Sequence, residues 1–459
     1  MTTPLSGDTT LGDTTLGGLA WPAPMRNPIR DYAWGSATAL AELQNRVPSG
    51  GPEAELWMGA HPSAPSALLG RDGAEISLRD LVEADPLRTL GPALVERFGP
   101  RLPFLLKILA IARPLSVQVH PSAERAASCF AAPDGARDTH RYVDPWPKPE
   151  MLYALRPVDA LSGFRSVDDA ARLLGLFRSP RLARLADALD RPGPGSGLDS
   201  GSDPGPGHSP DAARLEAAFA VLVTWPDDDR AAFSHEVAAE AERLLGTTSD
   251  TGPDRDGDTG RTDTADALRW VVRLTEHHPH DPLVAAPLLL DLVRLAPGEA
   301  LFIPAGAPHA YLHGLGVEIM GSSDNVLRAG LTPKEIAVDE LLRVVDGRTR
   351  PEHLPAAPVP GSPAWLDWAA PAEEFRLARS SITDGEVVDA EPVPGPRVLL
   401  CVSGSVAVTV DGGPAVTLTP GNSCFVGDAA GAVTLVGTGT VFRATVGSLR
   451  GGGTVPLLR

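Results

Sequence analysis

Two periodicities divide the chain. Across residues 114–122, PLSVQVHPS, the apolar Leu115, Val117 and Val119 alternate with Ser116, Gln118 and His120. A period of two predicts a strand with one face in a core and Gln118 and His120 together on the other. Lys148-Pro149-Glu150 precedes the apolar run MLYAL, which places a carboxylate at the start of another strand. Gly298 and Pro304 bracket the short run Ala300 to Ile303, a strand entering a tight turn, and Pro304, Gly306 and His309 follow as PxGxxH. The last hundred residues alternate again in VLLCVSGSVAVTVDG, AVTLTPGNSCFVG and AVTLVGTGTVFRATVG. They predict a further all-β unit with turns at Asp411-Gly412-Gly413 and Pro420-Gly421.

The middle reads differently. Ser166 and Asp169 form a capping box for DDAARLLGLF, and Leu215, Phe219 and Leu222 recur at helical spacing, as do Val237, Ala241, Leu244 and Leu245 before Gly246. These stripes are core. Thr332-Pro333-Lys334-Glu335 reads as a second capping box opening a helix with Ile336, Ala337, Leu341 and Val344, which would put Lys334 in its first turn. Periodicity fails in three places: residues 1–20, where GDTTL occurs in tandem, and the tracts 192–210 and 247–266. The first predicts a disordered tail and the others flexible surface loops.

Composition narrows the class. The 459 residues suffice for two or three domains with sizeable cores. A net charge of −18, from 58 acidic against 40 basic residues, argues against nucleic acid or acidic membrane as a partner. An anionic substrate would then need a local basic pocket. Cys129, Cys401 and Cys424 form no paired framework, which suggests a reducing cytoplasm. No 18-residue apolar run or signal-like N-terminus is evident. Lysine is scarce: only Lys107, Lys148 and Lys334 occur, and the other 37 basic residues are arginine. All three lie in the motif stretches, where a compact ammonium suits a chemical role.

Gln118, His120, Glu150 and His309 form a mixed nitrogen and oxygen set suited to zinc or a neighbouring first-row ion. PxGxxH resembles the second motif of the cupin barrels. Together with DYAWGS (31–36), AELWMGAHP (54–62), KPEMLYAL, IPAGAPHAYL and SDNVLRAGLTPKE, in that order, the chain resembles the type I mannose-6-phosphate isomerases from about residue 25 to its end. The resemblance implies a mainly β bicupin with an inserted α-helical domain: a catalytic cupin domain from 21–165 and 286–350, a helical insertion at 166–285, and a metal-free cupin-like domain at 351–459, which from residue 371 holds no histidine.

It further implies zinc, one per chain, on Gln118, His120, Glu150 and His309, and a catalytic Arg328. The implied reaction interconverts mannose 6-phosphate and fructose 6-phosphate through an enediol-type proton transfer, in a cytoplasmic monomer. Trp34 would sit at the rim of the sugar pocket, and Lys107 and Lys334 would hold the phosphate. Glu55, Trp57 and His61 are expected to brace the scaffold. The proton-transfer base stays open among Lys148, Glu318 and a water activated by zinc. Trp146 and Pro147 depart from the Asn or His that the family commonly carries, which bears on the pocket wall. Two other classes fit less well. A redox cupin would give the three lysines no role, and a sugar-phosphate binding module would not need the full ligand set together with Arg328.

Overall fold

The computed structural model describes residues 21–447 except 72, 133–141, 191–208, 249–258, 384–386 and 391–394. The expected tail at 1–20 and nearly all of the expected loop at 192–210 lie outside the described residues. Strands and several helices build two eleven-stranded sheets and a helical cluster.

The first sheet carries the site. Its centre runs from Glu55–Met58 through Phe104–Ile111 and His309–Gly321 to Glu150–Ala154 and Ala300–Ile303, all antiparallel. Phe104–Ile111 is buried along its whole length because both of its faces are covered. Leu106 and Ile108 point into a core shared with the second sheet, where Tyr153 meets Trp368 and Phe442 with ring centroids 4.9 and 4.8 Å apart. Lys107 points the other way, paired in register with Trp57 and Glu318.

The second sheet crosses the boundaries expected from the sequence. Besides the strands from 357 to 445, it takes Ala23–Arg26, Ala67–Leu69 and Glu75–Ser77 from the N-terminal region. Glu352–Leu354 pairs instead with Ala300–Ile303 in the first sheet. Strand pairing between segments some 400 residues apart leaves no local trace, so a division by composition misses it. Asn27 Nδ2 donating to Ser423 Oγ at 2.8 Å is one such bond.

The helices cover one face of the first sheet. Ser166 caps Val167–Leu174, its Oγ accepting from Asp169 N at 3.1 Å as the capping box predicts. Leu215, Phe219, Leu222, Val237 and Ala241 are fully buried, in one cluster with Val117 and Val119. Packing of those two valines beneath the helices turns Gln118 and His120 to the opposite face. One expectation is corrected here. The helix Thr259–His277 begins inside the tract 247–266, because Asp263 pairs with buried Arg165 at 2.6 Å and Asp266 with Arg269 at 2.6 Å. Asp263 and Asp266 thus anchor the end of the tract, while its residues 249–258 lie outside the described residues.

Candidate active site

A row of three strands sets the geometry. His309 at the start of its strand lies opposite Gln118, and Gln118 lies opposite Arg328 of Leu327–Gly330. Paired residues share a face, so the imidazole, the amide and the guanidinium project side by side. Glu150 enters from the other side of the His309 strand, opposite Met320.

The PxGxxH turn connects the two histidines. Gly306 adopts a φ of +85°, its N donates to His120 O at 2.9 Å, and a Cβ there would stand 3.0 Å from that of Asp346. His309 Nδ1 lies 3.0 Å from Ala307 O, and His120 Nδ1 lies 3.1 Å from Asn325 O. A carbonyl only accepts, so Nδ1 is the donor in each ring, and in a neutral ring Nε2 then presents a lone pair. Burial, reinforced by the Lys148 ammonium, pushes the His120 imidazole down to about 4 and so keeps it neutral. Burial alone would raise the Glu150 carboxyl, but the adjacent Lys148 ammonium leads the effects that hold it well below the usual range.

Three acceptors therefore converge. His120 Nε2 stands 3.2 Å from Glu150 Oε1 and His309 Nε2 stands 3.4 Å from Glu150 Oε2. His120 Nε2 is buried without a hydrogen-bond partner among the described residues. Lone pairs facing one another at this range repel unless a cation lies between them. One ligand atom from each of His120, Glu150 and His309 lies within 4.8 Å of the others, close enough for the three to share a single ion. His120, Glu150 and His309 fit a divalent metal, with Gln118 beside them.

Next to this set, Lys107 Nζ bridges Glu318 Oε2 at 3.1 Å and Glu55 Oε2 at 3.4 Å beneath the face of Trp57. Burial raises the Glu318 carboxyl, Glu150 adds to the effect and Lys107 opposes it. Lys148 donates to Glu150. Arg328 is half-buried, and no hydrogen bond or ion pair engages it among the described residues. Desolvation lowers its pKa, partly offset by Asp324.

These groups open onto a cavity of about 530 Å³ lined by Trp34, Lys107, Gln118, Lys148, Glu150, His309, Glu318, Arg328 and Lys334. That volume suits a phosphorylated hexose. His120 sits behind the wall and reaches the site through Glu150. Lys334 lines the cavity but not from a helix. The expected box does not form: Thr332 Oγ1 accepts from Lys334 N at 3.2 Å in a local turn, and the helix is confined to Val338–Val344. Leu331 at φ +55°, its N donating to Asp281 Oδ2 at 2.6 Å, starts that turn and keeps the chain out of a helix. Trp146 faces away from the cavity, 4.4 Å beneath the Arg101 guanidinium and packed on Phe98.

Sequence reasoning missed several members. Glu55, Trp57 and His61, expected to brace the scaffold, line the cavity, as do Tyr311, His277 and His278. The Glu55, Trp57 alternation within ELWM could have placed both on the face of Lys107. Asn325 gave no signal. Its Nδ2 donates to Asp144 O and Trp146 O, its Oδ1 accepts from Val143 N, and its own carbonyl orients His120. Asn325→Ala should weaken metal binding about 10- to 100-fold, read by competition with a chromophoric chelator, because residues behind a ligand hold its orientation.

Comparison with known proteins decides the family. Residues 23–167 match phosphomannose isomerase type I, catalytic domain. The chain is 35% identical over 424 residues to mannose-6-phosphate isomerase of Escherichia coli K12, across 91% of this chain and 97% of that one. The chain belongs to the type I phosphomannose isomerases. It is thus an enzyme that isomerises mannose 6-phosphate. A mannose-6-phosphate isomerase of Rattus norvegicus is 29% identical over 411 residues, covering 84% of this chain and 88% of its own. Among solved structures, a phosphomannose isomerase from Salmonella typhimurium in an arginine-to-alanine variant aligns with a TM-score of 0.75 at 32% identity, over 93% of this chain and all of that one. A mannose 6-phosphate isomerase bound with zinc and yttrium aligns equally widely, with a TM-score of 0.74. No described helix is long and apolar enough to cross a membrane.

Proposed function

We propose that this phosphomannose isomerase works on a bicupin scaffold with an inserted helical domain, holds one zinc per chain on Gln118, His120, Glu150 and His309, and interconverts mannose 6-phosphate and fructose 6-phosphate by moving one proton between C1 and C2 and a second between their oxygens. The convergence of three lone pairs on one point beside Arg328 carries this reading. When bound, the metal supplies a Lewis acid that polarises the carbonyl and hydroxyl oxygens of the sugar.

The chain's own residues do the rest. Trp34 offers an aromatic face to the sugar at the rim, stacked on Tyr32 at 6.0 Å. Arg328, which no hydrogen bond or ion pair engages among the described residues, stabilises the negative charge that develops on oxygen as the proton leaves carbon. Glu318 is the proton carrier. Its raised pKa lets it hold the abstracted proton, and Lys107 fixes its orientation from the neighbouring strand. Lys148, committed to Glu150, serves that ligand and not the transfer. Lys107 is likewise committed to two carboxylates, so the phosphate falls to Lys334. Lys334→Met should raise KM for mannose 6-phosphate about 10- to 100-fold with kcat nearly unchanged; equal KM values would remove Lys334 from the phosphate site.

Proton transfer through an enediol is tested by isotope exchange. Mannose 6-phosphate recovered after partial reaction in D2O should carry deuterium at C2 in a fraction that grows with turnover. Product formed with the original hydrogen wholly retained would point to hydride migration.

A further inference from the structure

The second sheet buries a cation that the isomerase site does not use. Arg443, in Val433–Thr445, is 2% exposed and lies in one row with Ala378 and Leu399, both members of the interior cluster of that sheet. Two other arginines nearby have partners. Arg376 Nε donates to Asp367 Oδ2 at 2.7 Å. Arg397 donates to the carbonyls of Gly427, Ala430 and Gly431 at 2.9, 3.1 and 3.3 Å, with Asp428 and Asp411 acting on it as charges. Arg443 has no carbonyl acceptor among the described residues, and the one carboxylate acting on it as a charge is Asp367, which Arg376 already engages. Arg443 Nε and Nη1 are buried without an acceptor among the described residues, and its guanidinium lies 4.4 Å over the ring of Trp365.

Other donors around it are in the same condition. Trp365 and Ser380 face each other across the strand pair, both fully buried, and Trp365 Nε1 and Ser380 Oγ, like the acceptor Asp367 Oδ1, find no partner among the described residues. Asp367 influences Arg443 through space, but no hydrogen bond or ion pair joins them. Burial, with the charges of Arg376 and Arg397, pushes Arg443 down to about 10, so it still carries its charge at neutral pH. Water can satisfy the donors of a buried guanidinium but leaves its charge uncompensated, whereas an anion does both.

We propose that Arg443, Trp365 Nε1 and Ser380 Oγ form an internal binding site for a small monovalent anion of halide size in the C-terminal sheet. Two of these groups can only donate, which rejects cations. Ala378, Leu399 and Cys401 close the interior around Arg443 and Ser380, which excludes a polyatomic ligand as large as a sugar phosphate. The site is separate from the isomerase cavity, and its occupant stabilises the fold by binding the native state alone.

The test uses the full-length protein with metal bound. Crystals soaked in bromide should give an anomalous peak within hydrogen-bonding reach of Arg443 and Trp365 Nε1. At constant ionic strength balanced with gluconate, which is too large to enter, raising chloride from about 10 to 300 mM should lift the thermal midpoint by roughly 1–2 °C. That rise should vanish in Arg443→Met and shrink in Trp365→Phe, which removes one donor and keeps the ring packing. Should Arg443→Met fail to fold, Trp365→Phe decides. A water and no bromide beside Arg443, or a chloride response identical in wild type and Trp365→Phe, would overturn the assignment.

Discussion

Replacing His309 with alanine removes metal and turnover together. The residue is 3% exposed, its Nδ1 is fixed on Ala307 O, and its Nε2 faces Glu150 Oε2 at 3.4 Å. Losing it leaves two convergent donors and Gln118 where four are proposed, so bound zinc should fall from one per chain to less than about a tenth by mass spectrometry at submicromolar free metal. Activity should drop at least about a thousandfold, since the Lewis acid goes with the ligand. The fold should survive. His309 belongs to none of the hydrophobic clusters, and its strand stays paired to Phe104–Ile111 over eight residues from Gly314 to Gly321. A variant that keeps full turnover without metal would remove the metal from the reaction.

Glu318→Gln should give a different outcome: zinc retained, KM within about threefold of wild type, and kcat lowered about 10²- to 10⁴-fold. The amide keeps the shape and can still accept from Lys107, but it cannot take a proton. Deuterium incorporation at C2 should fall in step with kcat. The matching change at Lys148, to methionine, should instead weaken metal binding, because Lys148 contacts Glu150 directly. If Glu318→Gln keeps its exchange and Lys148→Met loses it with metal still bound, the proton carrier is Lys148.

Local alternation made the shared face of Gln118 and His120 legible. Val117 and Val119 had to enter a core, so Gln118 and His120 had to leave it, and the structure places the valines beneath the helices. The same logic failed for Lys334. A Thr-Pro-Lys-Glu tetrapeptide favours a helix start, yet the left-handed Leu331 and its bond to Asp281, fifty residues earlier, redirect the chain. Tertiary contacts also turned part of an apparent loop into the helix Thr259–His277, and drew N-terminal strands into the C-terminal sheet. Asn325 was invisible for the same reason: its role lies in a carbonyl aimed at His120 across 205 residues, and backbone atoms carry no signature in composition.

The most direct measurement is a coupled assay of fructose 6-phosphate formation from mannose 6-phosphate, run on purified protein before chelation, after chelation, and again with zinc restored. Turnover should vanish as the metal leaves and return with about one equivalent of zinc. Undiminished turnover in fully metal-free protein would contradict the assignment of the His120, Glu150 and His309 cluster as the catalytic centre.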